Sequence, residues 1–146
     1  MGFGTGAAMG AQVGMPGSRV ISIAGDGCFR MNCNELATIQ HYNIPVIIIV
    51  MNNGTLGMVR QWQTLFYGGR YSETTLDRGP DFKKLAEAYF IDSYTVKTKE
   101  EFDSALASAL SKNAPAVIDA HINTDEFVFP MVSPGKPISD IIVKKN

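Results

Sequence analysis

The sequence predicts an α/β domain with a parallel sheet and helices on both faces, and three observations carry that expectation. Two short apolar runs, RVISIAG at 19–25 and PVIIIVM at 45–51, are β-branched and nearly uncharged, the composition of strands covered on both faces. The interval between them is long enough for a helix, which makes the unit strand, helix, strand. Further along, amphipathic helical periodicities alternate with short strand-like runs to the end of the chain, the pattern of one α/β layer architecture.

Taken in order, residues 1–18 carry glycines at 2, 4, 6, 10 and 14 between Ala and Met residues, so a helix here could press close to a sheet or let backbone meet a ligand. The spacing Gly2-x-Gly4-x-Gly6 is not a dinucleotide fingerprint, because no strand precedes it. After the first strand, Asn32 and Glu35 outline a capping box for a helix over 32–43, with Leu36 and Ile39 on one face and Asn43 before Pro45 as the stop. His41 near its end is a favourable place for a partly positive side chain. Asn53 to Phe66 reads as a turn passing into a helix with Leu56, Val59 and Gln63 on one side; Arg60 is either a carboxylate anchor or a solvated charge. Residues 67–80, polar and without periodicity, read as a surface loop near the mouth of a site. Asp81 caps a helix carrying Phe82, Leu85, Ala86 and Tyr89, a short strand spans 93–96, and Thr98 with Glu101 forms a capping box for a helix whose stripe is Phe102, Ala105, Leu106, Ala109 and Leu110. PAVIDAHI at 115–122 makes a final strand, read as lying near the sheet margin because Asp119 and His121 place polar groups on one side. That pair is read as polar residues on one side of such a strand in preference to an acid/base couple. The tail keeps Phe127, Phe129, Met131 and Ile141 among Pro and Gly, and ends in Lys144-Lys145, read as solvated.

Composition bounds function. At 146 residues the chain fits one domain, residues 1–146, able to bury roughly 70% of its unfolded surface. A formal charge of −1 gives no reason to expect nucleic acid. Cys28 and Cys33 are too few for a disulfide framework, and no basic n-region or membrane-length apolar run is present, so a soluble cytoplasmic protein is expected. The abrupt start inside a glycine-rich, helix-like segment suggests a piece of a larger polypeptide. No repeat, zinc spacing, nucleophile elbow or P-loop occurs.

The chemistry gathers at two polar corners, Gly25-Asp26-Gly27 and Asn52-Asn53, each closing an apolar run. Adjacent parallel strands end on the same edge of the sheet, where open α/β folds bind ligands, so Asp26 and Asn53 are expected to meet there. A carboxylate and an amide oxygen suit magnesium, a hard cation that completes its octahedron with water and phosphate oxygens, and the glycines at 25, 27 and 54 allow a diphosphate to approach the backbone. Met58 and Trp62 share a helical face, an arrangement that on periodicity alone is usually core.

Gly25-Asp26-Gly27 followed by Asn52-Asn53 resembles the diphosphate-binding motif of thiamine diphosphate enzymes. The continuation Asn53-Gly54-Thr55-Leu56-Gly57-Met58-Val59-Arg60-Gln61-Trp62-Gln63 resembles the catalytic large subunit of acetolactate synthase, over essentially this whole chain but only the last quarter or so of such a subunit. The resemblance implies that Asp26 and Asn53 give side-chain oxygens and Thr55 its carbonyl to Mg2+, that backbone near Gly25, Gly27, Cys28, Gly57 and Met58 lines thiamine diphosphate, and that Met1 supports the cofactor's bent shape. Thr5-Gly6 stand where the family reads Leu-Pro. It further implies that Met58 and Trp62 face the substrate channel, the tryptophan helping to select the second keto acid, and that the tail packs over the active site. The implied reaction decarboxylates pyruvate and joins the remainder to a second 2-keto acid, in branched-chain amino acid biosynthesis. The activating glutamate belongs to another domain, so no catalytic residue is assigned here and the isolated chain is expected to be inactive. A homo-oligomer, a regulatory small subunit and FAD elsewhere in the full-length enzyme follow from the same resemblance. Two other readings are a related thiamine diphosphate decarboxylase or oxidase, and a non-catalytic α/β module binding a phosphate ligand or a protein.

Overall fold

The structure is a computed structural model and describes residues 1–144. Helix α1 (Phe3–Gly14) leads into strand β1 (Ile21–Gly25). A one-turn helix, α2 (Asp26–Phe29), and then α3 (Leu36–His41) precede β2 (Ile47–Asn52). The rest is α4 (Gly57–Phe66), α5 (Phe82–Ala88), β3 (Asp92–Val96), α6 (Lys99–Leu110) and β4 (Ala116–His121). The four strands form one parallel sheet in the order β1-β2-β4-β3.

Hydrophobic burial explains the layers. Ile48 and Val50 of β2 and Val117 of β4 face one side, where Ala8 of α1, Phe29 of α2, Leu36 and Ile39 of α3, and Phe82 and Ala86 of α5 close over them. Ile47, Ile49, Ala116, Ile118 and Ala120 face the other side, where α6 brings Ala105 and Ala109. Every residue of β2 from Ile47 to Val50 is buried, because a central strand has both faces covered. The cover is uneven: α6 lies over β3 and β4, while Ile23 of β1 is 71% exposed on the same side.

Both late helix starts form as read. The Asp81 carboxylate accepts the Lys84 N–H at 3.0 Å. Thr98 Oγ1 accepts the Glu101 N–H at 3.2 Å while the Glu101 carboxylate accepts the Thr98 N–H at 3.3 Å, a complete capping box. Thr98→Ala removes one half of it and is expected to cost about 1 kcal/mol in urea unfolding, with Thr98→Ser close to the parent.

Several expectations are corrected. The helix over 32–43 starts later, after a 3-10 turn at Cys33–Glu35, and Asn32 does not cap it: its Nδ2 donates to the Gly2 carbonyl at 3.0 Å. Strand β4 lies inside the sheet, not near its margin, because β4 inserts between β2 and β3. Leu110 is largely exposed although Ala105 and Ala109 on its helix are buried. The close approach of α1 to the sheet is made by Gly4, whose β-carbon would stand 3.5 Å from Ser22 Oγ, and by Ala8, while Gly6, Gly10 and Gly14 face open space. The loop over 67–80 is only partly a surface segment: Thr74 is buried, and residues 74–76 pair with residues 54–56 through Leu56 N–H to the Thr74 carbonyl and Leu76 N–H to the Gly54 carbonyl, both 2.8 Å. Lys144 is exposed, and Lys145 lies outside the described residues.

Candidate functional site

The site begins with register. Gly25 pairs with Met51 across β1 and β2, so Asp26 and the Asn52-Asn53 corner come side by side at the carboxyl edge, Asn52 as the last residue of β2. Asp26 turns immediately into α2, where its side chain is 4% exposed, and the backbone N–H groups of Gly27, Asp26 itself and Gly54 face its carboxylate. Burial nevertheless pushes its carboxyl above the ordinary value; those N–H groups and the Arg30 charge pull the other way without overcoming it. The two corners therefore meet, and they do so around an ionisable group held at a cost.

The double asparagine is a backbone device on the other side of that meeting. Asn52 Oδ1 accepts the Gly54 N–H and Asn53 Oδ1 accepts the Thr55 N–H, each at 3.2 Å, two consecutive side-chain turns that fold the strand end back on itself. Gly54 has φ of 67°, a left-handed conformation that a β-carbon would strain. Thr55 is buried, and its Oγ1 donates to the Thr74 carbonyl at 2.7 Å, tying the turn to the following loop. A β-carbon on Gly57 would stand 2.8 Å from Asn53 Nδ2, so the start of α4 is packed directly on the asparagine side chain. Cys28, one turn into α2, is a partly buried free thiol, as is Cys33. Met1 is 78% exposed ahead of α1; Gly2 lies close to Met31, on the segment that follows α2.

An asparagine oxygen has a second lone pair, and a carboxylate has several acceptor directions, so Asp26 and Asn53 keep capacity for a cation beside the N–H groups they engage. These are hard oxygen donors of the kind magnesium takes. Among the described residues no group of three or more His, Cys, Asp or Glu side chains converges to hold a metal. A cation here would thus depend on one carboxylate, with amide, carbonyl and external oxygens.

Helix α4 is turned inside out. Its buried residue is Gln61, whereas Met58, Val59, Trp62 and Phe66 are exposed, Trp62 at 37%. Met58, Trp62 and Phe66 follow at intervals of four and form one apolar stripe, with the Trp62 and Phe66 rings edge to face at 6.0 Å. Of Leu56, Val59 and Gln63, read as sharing one side, Leu56 and Gln63 are half-buried and Val59 is exposed. Arg60 is neither free nor simply solvated: its Nε meets Asp125 Oδ1 at 2.7 Å and its guanidinium lies 3.9 Å over the Tyr71 ring.

One cluster was not assembled by sequence reasoning. Asn52 Nδ2 donates to Asp119 Oδ1 at 2.9 Å, and His121 Nε2 lies 3.1 Å from Asp119 Oδ2, with Asp119 buried on an inner strand. Asp119 and His121 do share a face, but the carboxylate serves as an anchor for the Asn52 turn. The run PAVIDA, with a single polar residue, carried the signal for an inner strand. A cavity beside His121, lined also by Met51, Val96, Lys97, Phe102 and Ile122, reaches neither Asp26 nor Asn53.

Comparison with known proteins places this geometry. Residues 1–120 match the family described as thiamine pyrophosphate enzyme, C-terminal TPP binding domain. The acetolactate synthase large subunit of Pyropia yezoensis is 47% identical over 143 residues, 97% of this chain and 24% of that protein. The probable acetolactate synthase large subunit of Methanocaldococcus jannaschii is 48% identical over 142 residues, again 97% of this chain and 24% of the relative. The acetolactate synthase isozyme 2 large subunit of Escherichia coli is 44% identical over 144 residues, 99% of this chain and 26% of that subunit. Among solved structures, a thiamine diphosphate-dependent 4-hydroxybenzoylformate decarboxylase of Rhodococcus jostii superposes with a TM-score of 0.80 at 38% identity, over 87% of this chain and 24% of that one. The chain spans about a quarter of the length of these relatives.

Proposed function

Because this chain belongs to the thiamine pyrophosphate enzymes, through their C-terminal TPP binding domain, we propose that it is the cofactor-anchoring domain of an acetolactate synthase large subunit. The observation that carries the proposal is the meeting of Asp26 with the Asn53–Gly54 corner at the carboxyl edge of β1 and β2. In this reading residues 1–146 form one domain. Asp26 and Asn53 hold Mg2+ through side-chain oxygens and Thr55 through its carbonyl, and the backbone at Gly25, Gly27, Cys28, Gly57 and Met58 lines the diphosphate. Met1 supports the cofactor from the start of the chain.

When bound, thiamine diphosphate supplies the electron sink for decarboxylation of a 2-keto acid. The residues of this chain position and neutralise. Asp26 in its ionised form offsets the cation's charge, and burial of that carboxylate strengthens the attraction by excluding water. The outward stripe of Met58, Trp62 and Phe66 offers an apolar wall on which the acceptor keto acid rests, which accounts for an apolar face turned away from the core. The overall reaction releases carbon dioxide from pyruvate and joins the remaining two-carbon unit to a second 2-keto acid, in the cytoplasm, within branched-chain amino acid biosynthesis. The activating glutamate comes from another domain, the active form is an oligomer, and a regulatory small subunit and FAD belong to the whole enzyme.

The greater identity to acetolactate synthases, 44–48%, than to the decarboxylase neighbour, 38%, favours carboligation over simple decarboxylation. Titration calorimetry tests the anchoring role. Thiamine diphosphate is expected to bind with magnesium and not with EDTA, whereas equal binding of ADP, or metal-independent binding, overturns it. The chain by itself is expected to form no acetolactate from pyruvate.

A further inference from the structure

Helix α4 is gripped on two sides by carboxamides. Gln61, 1% exposed, donates from Nε2 to the Val128 carbonyl at 2.9 Å and accepts the Val128 N–H on Oε1 at 2.8 Å. Gln63 repeats the arrangement with Ser72, donating to its carbonyl at 3.1 Å and accepting its N–H at 3.2 Å. Each side chain thus pairs with both backbone groups of one residue, as a neighbouring strand would. Two positions along a helix are about 200° apart, so the grips fall on opposite flanks with Trp62 between them.

Each segment also has bonds of its own, Thr74 and Leu76 with Leu56 and Gly54 in the loop and Met131 with Ile142 in the tail, and the glutamines fix where these segments stand against α4. Val128 is 63% exposed, and the loop after α4 is polar. Arg60 reinforces the same design, reaching Asp125 on one segment and the Tyr71 ring on the other, while Thr64 Oγ1 lies 3.0 Å from the Tyr71 hydroxyl. A purely structural helix would bury its apolar stripe. Here the polar side chains are spent on fixing two backbone segments, and the apolar stripe of Met58, Trp62 and Phe66 is left facing outward beside them.

We propose that Gln61 and Gln63 are positioning residues for the acceptor site. They hold the segment at Val128 and the loop at Ser72 as two walls flanking Trp62, and the separation of those walls sets which second keto acid is accepted. The inference rests on Met58 and Trp62 lining the acceptor channel, and the experiment separates the two ideas.

In the magnesium- and thiamine diphosphate-loaded enzyme carrying this chain, pyruvate and 2-oxobutanoate compete as acceptors, and the product ratio is read for Trp62→Leu, Gln61→Met and Gln63→Met. All three are expected to shift the ratio; the glutamine variants do so by about threefold to tenfold, and for these two pyruvate consumption stays within about twofold of the parent. Gln63→Glu, which keeps the acceptor for the Ser72 N–H, is expected to fall between Gln63→Met and the parent. Trp62, the one tryptophan of these 146 residues, supplies a readout independent of turnover: acrylamide quenching of its fluorescence rises in both methionine variants. A shift with Trp62→Leu but none with either glutamine variant overturns the positioning role alone. An unchanged ratio in Trp62→Leu overturns the channel reading and the proposal with it. Should Gln61→Met fail to fold, Gln63→Met at the surface decides the matter.

Discussion

Asp26→Asn is expected to abolish magnesium-linked binding of thiamine diphosphate and to flatten the pH dependence of the metal-free protein's stability. The second effect follows from the first residue's burial. Desolvation holds the Asp26 carboxyl above its ordinary value of 3.8 in the folded state. A carboxyl raised on folding contributes stability that is fully present below its unfolded pKa and is lost as pH rises through the folded one. Metal-free protein in EDTA should therefore lose stability from near pH 3.8 upward until Asp26 is ionised, and the asparagine variant should lack that component. A bound cation reverses the sign locally, because it requires the ionised carboxylate, so magnesium binding weakens as pH falls through the raised value. Urea unfolding across pH, with EDTA and with magnesium plus thiamine diphosphate, reads both effects. Parent and variant showing the same metal-linked stabilisation would remove Asp26 from the ligand set.

The parts of this fold that could be read in advance are those where one local rule dominates. RVISIAG and PVIIIVM admit few fates other than covered strands, and the Asp81 and Thr98 starts form because the N–H groups they accept lie three residues away in the same turn. Asn32 shows the opposite case: its capping pattern is intact, but the Gly2 carbonyl, 30 residues away, takes its amide. The lateral order of strands is likewise invisible to local rules, since the chain passes from β2 to β3 before β4 and only burial reveals that β4 sits between them.

Buried glutamines mark the largest gap. Gln12 accepts the Val20 N–H at 3.0 Å and donates to the Ser18 carbonyl at 2.8 Å, a grip on the turn after α1 that parallels those of Gln61 and Gln63. Gln12 and Gln61 are the buried members, and periodicity assigns neither to an inner face; Gln63 makes the same grip at the surface. The placement of the two corners at one edge, by contrast, is legible through topology. Once β1 and β2 are parallel neighbours, Asp26 and Asn53 have nowhere to go but the same edge, and neither residue needs a long-range contact to arrive there.

Gly57→Ala is expected to separate cofactor binding from folding. The added β-carbon would stand 2.8 Å from Asn53 Nδ2, closer than the two groups can sit, and one of them must move. The side chain is the softer element: α4 is held by Gln61, Gln63 and Arg60, whereas Asn53 is held by its 3.2 Å bond from the Thr55 N–H. Asn53 should therefore swing out, releasing Thr55 and carrying its oxygen away from Asp26. The stability cost should be small, about 1 kcal/mol for the lost bond, offset in part by alanine's preference over glycine in a helix. Thiamine diphosphate affinity in magnesium should fall by about a hundredfold, the loss of one ligand oxygen from a site with few. Gly27→Ala crowds the same edge without touching Asn53: its β-carbon would meet Leu56 Cδ2 at 2.9 Å and Leu76 Cδ1 at 3.6 Å, the ends of flexible side chains. Calorimetry and urea unfolding on the two variants distinguish the cases. Equal losses of affinity would mean that crowding of the edge, and not the Asn53 oxygen, governs binding.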